Sequence, residues 1–175
     1  VTPDPRFFYL GGTHEQALSS VCYGIAQRQG FVMVTGEVGT GKTLLCRKFL
    51  ASLGDDFVTA YIPNPYLEPR SLLLALADEF RIPLDKNVDQ HQLLKELTFA
   101  LLNFAREGKR VLVCLDEAQA MPLESLEVLR LLTNLETEKR KLLQIVLFGQ
   151  PELDNLLQRH DLRQVAQRIN FSFGL

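Results

Sequence analysis

The chain contains no run of apolar residues approaching the ~18 that a membrane-spanning helix needs, and no signal-peptide pattern opens it. The expectation is a soluble domain. It has only three cysteines, Cys22, Cys46 and Cys114, far apart and set in apolar patterns. That spacing indicates neither a disulfide framework nor a cysteine-rich metal site, so the thiols read as reduced core groups of a cytosolic protein. His14, His91 and His160 are equally scattered and lack ligand spacing. Charge of one sign is lacking too: 19 Lys and Arg against 21 Asp and Glu leave a net charge of −2. Such a balance offers no global basic field to nucleic acid or anionic lipid, although a local DNA contact stays open. There is no internal repeat and no low-complexity segment. What remains is 175 residues, 46% of them hydrophobic, enough for one α/β domain with a buried core. The chain begins at Val1 and stops at Leu175 inside a strand-like run, so it is expected to be one domain of a longer protein.

Against these absences stands the stretch Gly36-Glu37-Val38-Gly39-Thr40-Gly41-Lys42-Thr43, preceded by the apolar run Phe31-Val32-Met33-Val34 and followed by a helix-like segment from Leu44 to Leu53. Its pattern is that of a phosphate-cradling P-loop, whose chance occurrence in a chain of this size is on the order of one in a few hundred. Gly36, Gly39 and Gly41 let backbone N–H groups approach phosphate oxygens without an intervening Cβ. A helix starting near Gly41 adds unpaired N–H groups and a positive dipole end. Lys42 would reach the β- and γ-phosphates, the Thr43 hydroxyl would ligate Mg²⁺, and the Leu44 amide would lie near the α-phosphate.

Around that loop the periodicity alternates. Thr13 and Gln16 have capping-box spacing ahead of a helix over 14–29, and 31–35 reads as the first strand. A second strand over 57–62 is closed by Pro63-Asn64-Pro65. Pro69 suits the first turn of a helix running to Phe80, and Asp89 with Gln92 caps another that ends near Gly108. Val111 to Leu115 is the continuous apolar run of a parallel strand covered on both faces. Pro122 opens a helix through Leu135, whose charged run 136–141 reads as solvated surface. A fourth strand is expected over 142–148, short helices over 152–159 and 162–167, and a fifth strand over 169–173. Strands alternating with helices imply an α/β fold with a doubly wound parallel sheet.

Hydrolysis would need a metal-orienting acid and a group that activates water at the carboxyl end of a strand beside the loop. Asp116 and Glu117 directly follow the third strand in a Walker B pattern: Asp116 would hold the Mg²⁺ shell and Glu117 would polarise water. Asn64 is either a turn asparagine or an amide that holds Glu117 in an inactive orientation. Gln150 is either a polar residue at a helix start or one that senses the γ-phosphate or the water. Arg163 and Arg168 are either exposed helix residues or the second cation that the transition state lacks, a role worth ~10³ to 10⁵ in rate where an arginine finger operates.

With these motifs in this order, the chain resembles an AAA+ ATPase core over nearly its whole length, residues 1–175. More narrowly, FFYLGGTHEQAL, GEVGTGKTLLCR, DEAQAMPLESLEVLRLLTNLET and LFGQPEL resemble the ExeA (GspA) ATPases of type II secretion and MshM of MSHA-type pilus biogenesis. The resemblance implies a three-layer α/β/α P-loop NTPase with a five-stranded parallel sheet of order 5-1-4-3-2, ATP rather than GTP, and Mg²⁺. It gives Asn64 the glutamate-switch role, Gln150 that of sensor 1, and Arg168 that of a finger acting in trans in a homo-oligomer, with Arg163 second. It points to Tyr9, Leu10 and His14, in the segment before the first helix, for the adenine site, although aromatic residues at such spacing are often core. It also implies a cytoplasmic domain of an inner-membrane-associated bacterial protein, with secretion or pilus assembly proteins as partners. Relatives continue into a helical lid that lies beyond this chain.

The leading expectation is thus a Mg²⁺-dependent ATPase that assists assembly of such a machine. A DNA-associated ATPase of the transposition-helper or initiator type shares the core, and the acidic balance leans against nucleic acid. A nucleotide-controlled scaffold with little turnover is the third reading, opposed by the intact Asp116-Glu117 pair.

Overall fold

The computed structural model describes residues 14–26, 30–36, 41–137 and 140–159. Four parallel strands, β1 (Phe31–Thr35), β2 (Phe57–Ile62), β3 (Arg110–Leu115) and β4 (Gln144–Gly149), form one sheet in the order β1-β4-β3-β2. This is the arrangement expected for strands one to four. The expected fifth strand over 169–173 and the helix over 162–167 lie outside the described residues.

Side-chain alternation along each strand divides the core in two. Val32 and Val34 of β1, Leu112 and Cys114 of β3, and Val146 and Phe148 of β4 face α1 (His14–Ala26) and α2 (Lys42–Ala51), meeting Val21, Ile25, Leu45 and Phe49. The intervening residues, among them Met33, Val113, Leu115, Ile145 and Leu147, face the opposite way. They pack on α3 (Pro69–Glu79), α4 (Gln90–Arg106) and α5 (Leu123–Asn134) through Leu72, Leu97, Leu101 and Leu129. The result is a three-layer α/β/α fold. Each fully buried Leu or Phe contributes about 1.5–3 kcal/mol of transfer free energy, so both faces of the sheet are strongly held.

Local chemistry sets the helix ends. Asp89 accepts the Gln92 N–H at 2.8 Å and caps α4, whose Leu93, Leu97 and Leu101 form one buried stripe. Helix α3 closes with Arg81 in the left-handed region (φ 58°), Ile82 N–H bonding the Ala77 carbonyl at 2.8 Å and Arg81 N–H that of Asp78 at 3.1 Å. Helix α5 stops at Asn134, short of the expected Leu135. There the chain becomes extended and Glu136 bridges Lys141 in antiparallel fashion, with an ion pair at 3.3 Å. Part of the charged run expected as plain helix surface therefore pairs strand-like, because Leu142 N–H reaches back to the Leu135 carbonyl at 3.0 Å.

Candidate functional site

The glycine-rich turn leaves the carboxyl end of β1 and enters the N-terminus of α2. Gly36 is tied to the end of β4, its N–H donating to the Gly149 carbonyl at 3.1 Å. Gly41 is the N-cap of α2 with φ 87° and ψ 23°, a left-handed conformation that favours glycine. Among the described residues no side chain caps this helix, and such an N-terminus, with its positive dipole end, suits an anion. Lys42 is buried to 6% exposure, and its ammonium donates to the Gly36 carbonyl at 2.7 Å, just past the end of β1. Glu37, Val38, Gly39 and Thr40 lie outside the described residues.

The second half of the site comes from the end of β3. Asp116 is 2% exposed, and its N–H bonds the Ile62 carbonyl of β2 at 3.0 Å. Its Oδ2 accepts the Thr43 hydroxyl at 2.6 Å, and its Oδ1 accepts the Glu117 N–H at 2.9 Å. Residues 73 positions apart are thereby joined, a hydroxyl in the first turn of α2 to the carboxylate that follows β3. Its negative charge is felt nearby. Burial first, then Asp116, raise the Tyr61 hydroxyl above its ordinary value of 10.0, with Arg47 pulling the other way. Burial first, then Cys46 and Asp116, push the Cys114 thiol well above 9.0. Thr43 and Asp116 supply hard oxygen donors of the kind Mg²⁺ takes and could hold one.

A family model described as "AAA domain" matches residues 25–157, which spans both halves of this site. The chain belongs to the AAA-domain family. It is 46% identical over all 175 residues to General secretion pathway protein A of Aeromonas hydrophila, and it spans 32% of that protein's length. The resemblance to the ExeA (GspA) proteins read from the sequence therefore holds. Among solved structures, the chain is similar to the Aeropyrum pernix ORC2 protein in its ADP form, with a TM-score of 0.71 and 19% identity over 91% of this chain and 47% of that one. It is also similar to CDC6P from Pyrobaculum aerophilum, with a TM-score of 0.72 and 18% identity over 98% of this chain and 49% of that one. At such identities these two report the fold alone.

Within this AAA domain the remaining sequence candidates are spread unevenly. Glu117 adopts φ 54° and ψ 43°, a left-handed backbone costing of order 1–3 kcal/mol in a non-glycine residue, and it opens a 3-10 turn, Ala118–Ala120. Leu44 is exposed at the start of α2. Asn64, two residues past β2, is exposed and makes no hydrogen bond to Glu117 among the described residues. The amide that reaches Glu117 belongs to Gln119, whose Nε2 donates to Glu117 Oε2 at 2.6 Å. Gln150 follows β4, and its backbone N–H donates to Gln119 Oε1 at 3.0 Å. His14 begins α1 and its side chain lies outside the described residues, as do Tyr9, Leu10, Arg163 and Arg168 entirely.

Gln119 and the backbone of Glu117 are the features sequence reasoning missed. Gln119 was in view within the DEAQ phrase, two residues past Glu117. No spacing rule says that a 3-10 turn will aim it back at that carboxylate.

Proposed function

We propose that this domain binds ATP with Mg²⁺ at residues 36–44 and hydrolyses it to ADP and phosphate. The observation that carries the reading is the 2.6 Å contact of Thr43 with Asp116, immediately followed in the chain by Glu117. The backbone N–H groups at the start of α2 and the Lys42 ammonium would bind the phosphates. Thr43 and Asp116 would hold Mg²⁺, which when bound neutralises charge on the phosphate oxygens. Glu117 would accept a proton from the attacking water as the new oxygen–phosphorus bond forms and the bond to the ADP oxygen breaks. Gln150 would sense the γ-phosphate and Arg168, with Arg163, would supply a positive charge across a subunit boundary, so that activity requires assembly.

The likeness to General secretion pathway protein A supports a role beside a secretion machine. We place the domain on the cytoplasmic side of the inner membrane, where its nucleotide cycle assists assembly of a type II secretion or MSHA-type pilus apparatus. Among the described residues, no helix is long and apolar enough to cross a membrane. The test is steady-state ATP hydrolysis against protein concentration, with Arg168→Ala beside the parent. Specific activity that climbs with concentration and collapses in the variant is expected. Nucleotide binding without turnover at any concentration would instead favour a nucleotide-controlled scaffold.

A further inference from the structure

We propose that Gln119 is a positioning residue that orients Glu117 and couples it to the chain segment at the end of β4. This rests on the reading of Glu117 as the group that activates water. Gln119 makes two hydrogen bonds of opposite polarity: its Nε2 donates to Glu117 Oε2 at 2.6 Å and its Oε1 accepts the Gln150 N–H at 3.0 Å. Only one orientation of the amide satisfies both, since a flip would set its carbonyl against the carboxylate and its NH₂ against an N–H. One carboxylate oxygen of Glu117 is thus engaged by Gln119, which leaves Oε1 to accept a proton.

The surroundings leave these bonds a clear part in holding the carboxylate. Glu117 sits in a left-handed backbone conformation, a strained geometry that the surrounding contacts must hold. A cavity of about 330 Å³, lined by Gln119, Glu152, Asn155 and Leu156, opens beside the amide, so close packing does not fix it on that side. On the other side it touches Gly149: a Cβ built there would stand 2.9 Å from Gln119 Oε1 and 3.0 Å from Leu153 Cδ2. Glycine at 149 therefore leaves space for the amide. Any shift of the Gln150 segment towards bound nucleotide would pull on Gln119 and so re-aim Glu117. Asn64, the amide considered for holding Glu117 in an inactive orientation, is exposed and does not bond Glu117 among the described residues.

The test measures kcat and Mg·ATP affinity separately for Gln119→Met, Gly149→Ala, the double variant and Gln119→Glu in the parent chain. Gln119→Met is expected to lower kcat about 10- to 100-fold, the scale of a small misplacement of a reacting group, while leaving the ATP dissociation constant unchanged. Gly149→Ala, whose Cβ presses on Gln119 Oε1 and on Leu153, is expected to lower kcat as well, and the double variant to lose less than the two single losses combined, because part of the Gly149→Ala effect acts through Gln119. Gln119→Glu keeps the acceptor for Gln150 but faces Glu117 with a carboxylate instead of a donor, so it should not restore kcat. Parental kcat in both Gln119→Met and Gln119→Glu would overturn the proposal. So would an equal loss of ATP binding and rate, which marks a merely structural role. Glu117→Gln, assayed in parallel, separates the two levels. If it is inactive while Gln119→Met is normal, only the coupling fails; if it turns over at the parental rate, the reading of Glu117 fails and takes the coupling with it.

Discussion

Gly41→Ala tests whether the geometry of the loop makes the phosphate site. At φ 87° and ψ 23°, an alanine Cβ would crowd the adjacent carbonyl, at a cost of roughly 1–2 kcal/mol. For a domain of this size about 1 kcal/mol corresponds to about 2–4 °C in Tm, so a fall of about 2–8 °C is expected. The same residue sets the direction of the N–H groups that lead into Lys42, and relieving the strain means turning that peptide. ATP affinity should therefore fall by more than stability does. Gly108 supplies the control: its φ is 77°, and nothing lies within 4 Å of the Cβ it would gain. Gly108→Ala should cost a similar Tm shift with no change in ATP binding. Thermal unfolding by circular dichroism and titration with a fluorescent ATP analogue read the two quantities. If Gly41→Ala binds ATP as the parent does, or if both variants lose binding equally, the loop conformation is not what makes the site.

Lys42→Ala should abolish ATP binding in the same titration while the fold persists, since both hydrophobic cores are built from other residues. Thiol labelling of the native protein followed by mass spectrometry should find Cys22 alone modified, because Cys22 is exposed while Cys46 and Cys114 are fully buried; all three should react after denaturation. The Cys114 thiol, held well above its ordinary value of 9.0 mainly by burial, gives a pH dependence of stability. Below 9.0 both states keep the proton. Above it the unfolded chain ionises first, so native stability falls as pH rises, by up to about 1.4 kcal/mol per pH unit for one proton. Urea unfolding midpoints across that range should decline less steeply in Cys114→Ala than in the parent.

Much of this was legible from residues alone. The run Val111 to Leu115 has no polar position, and in the sheet both of its faces are covered, as a parallel interior strand requires. Asp89 caps α4 as its spacing with Gln92 suggested. Thr43 and Asp116 were assigned to one metal site from separate motifs, and the fold brings them together at 2.6 Å. What escaped depends on three-dimensional closure. Asn64 and Gln119 are both amides near strand ends, and which one reaches Glu117 is decided by the left-handed turn at Glu117 itself, which periodicity does not encode. The stop of α5 at Asn134 is similar, because the pairing of Leu135 with Leu142 outweighs the helical pattern that continues through it.

The most direct measurement is a single-turnover assay in which the parent and Glu117→Gln are mixed with limiting Mg·ATP, quenched over time, and the bound nucleotide separated as ATP or ADP. The account predicts that both bind ATP, that the parent converts it to ADP, and that Glu117→Gln retains it intact. Conversion by the variant at the parental rate, or failure of the parent to bind ATP, would contradict it.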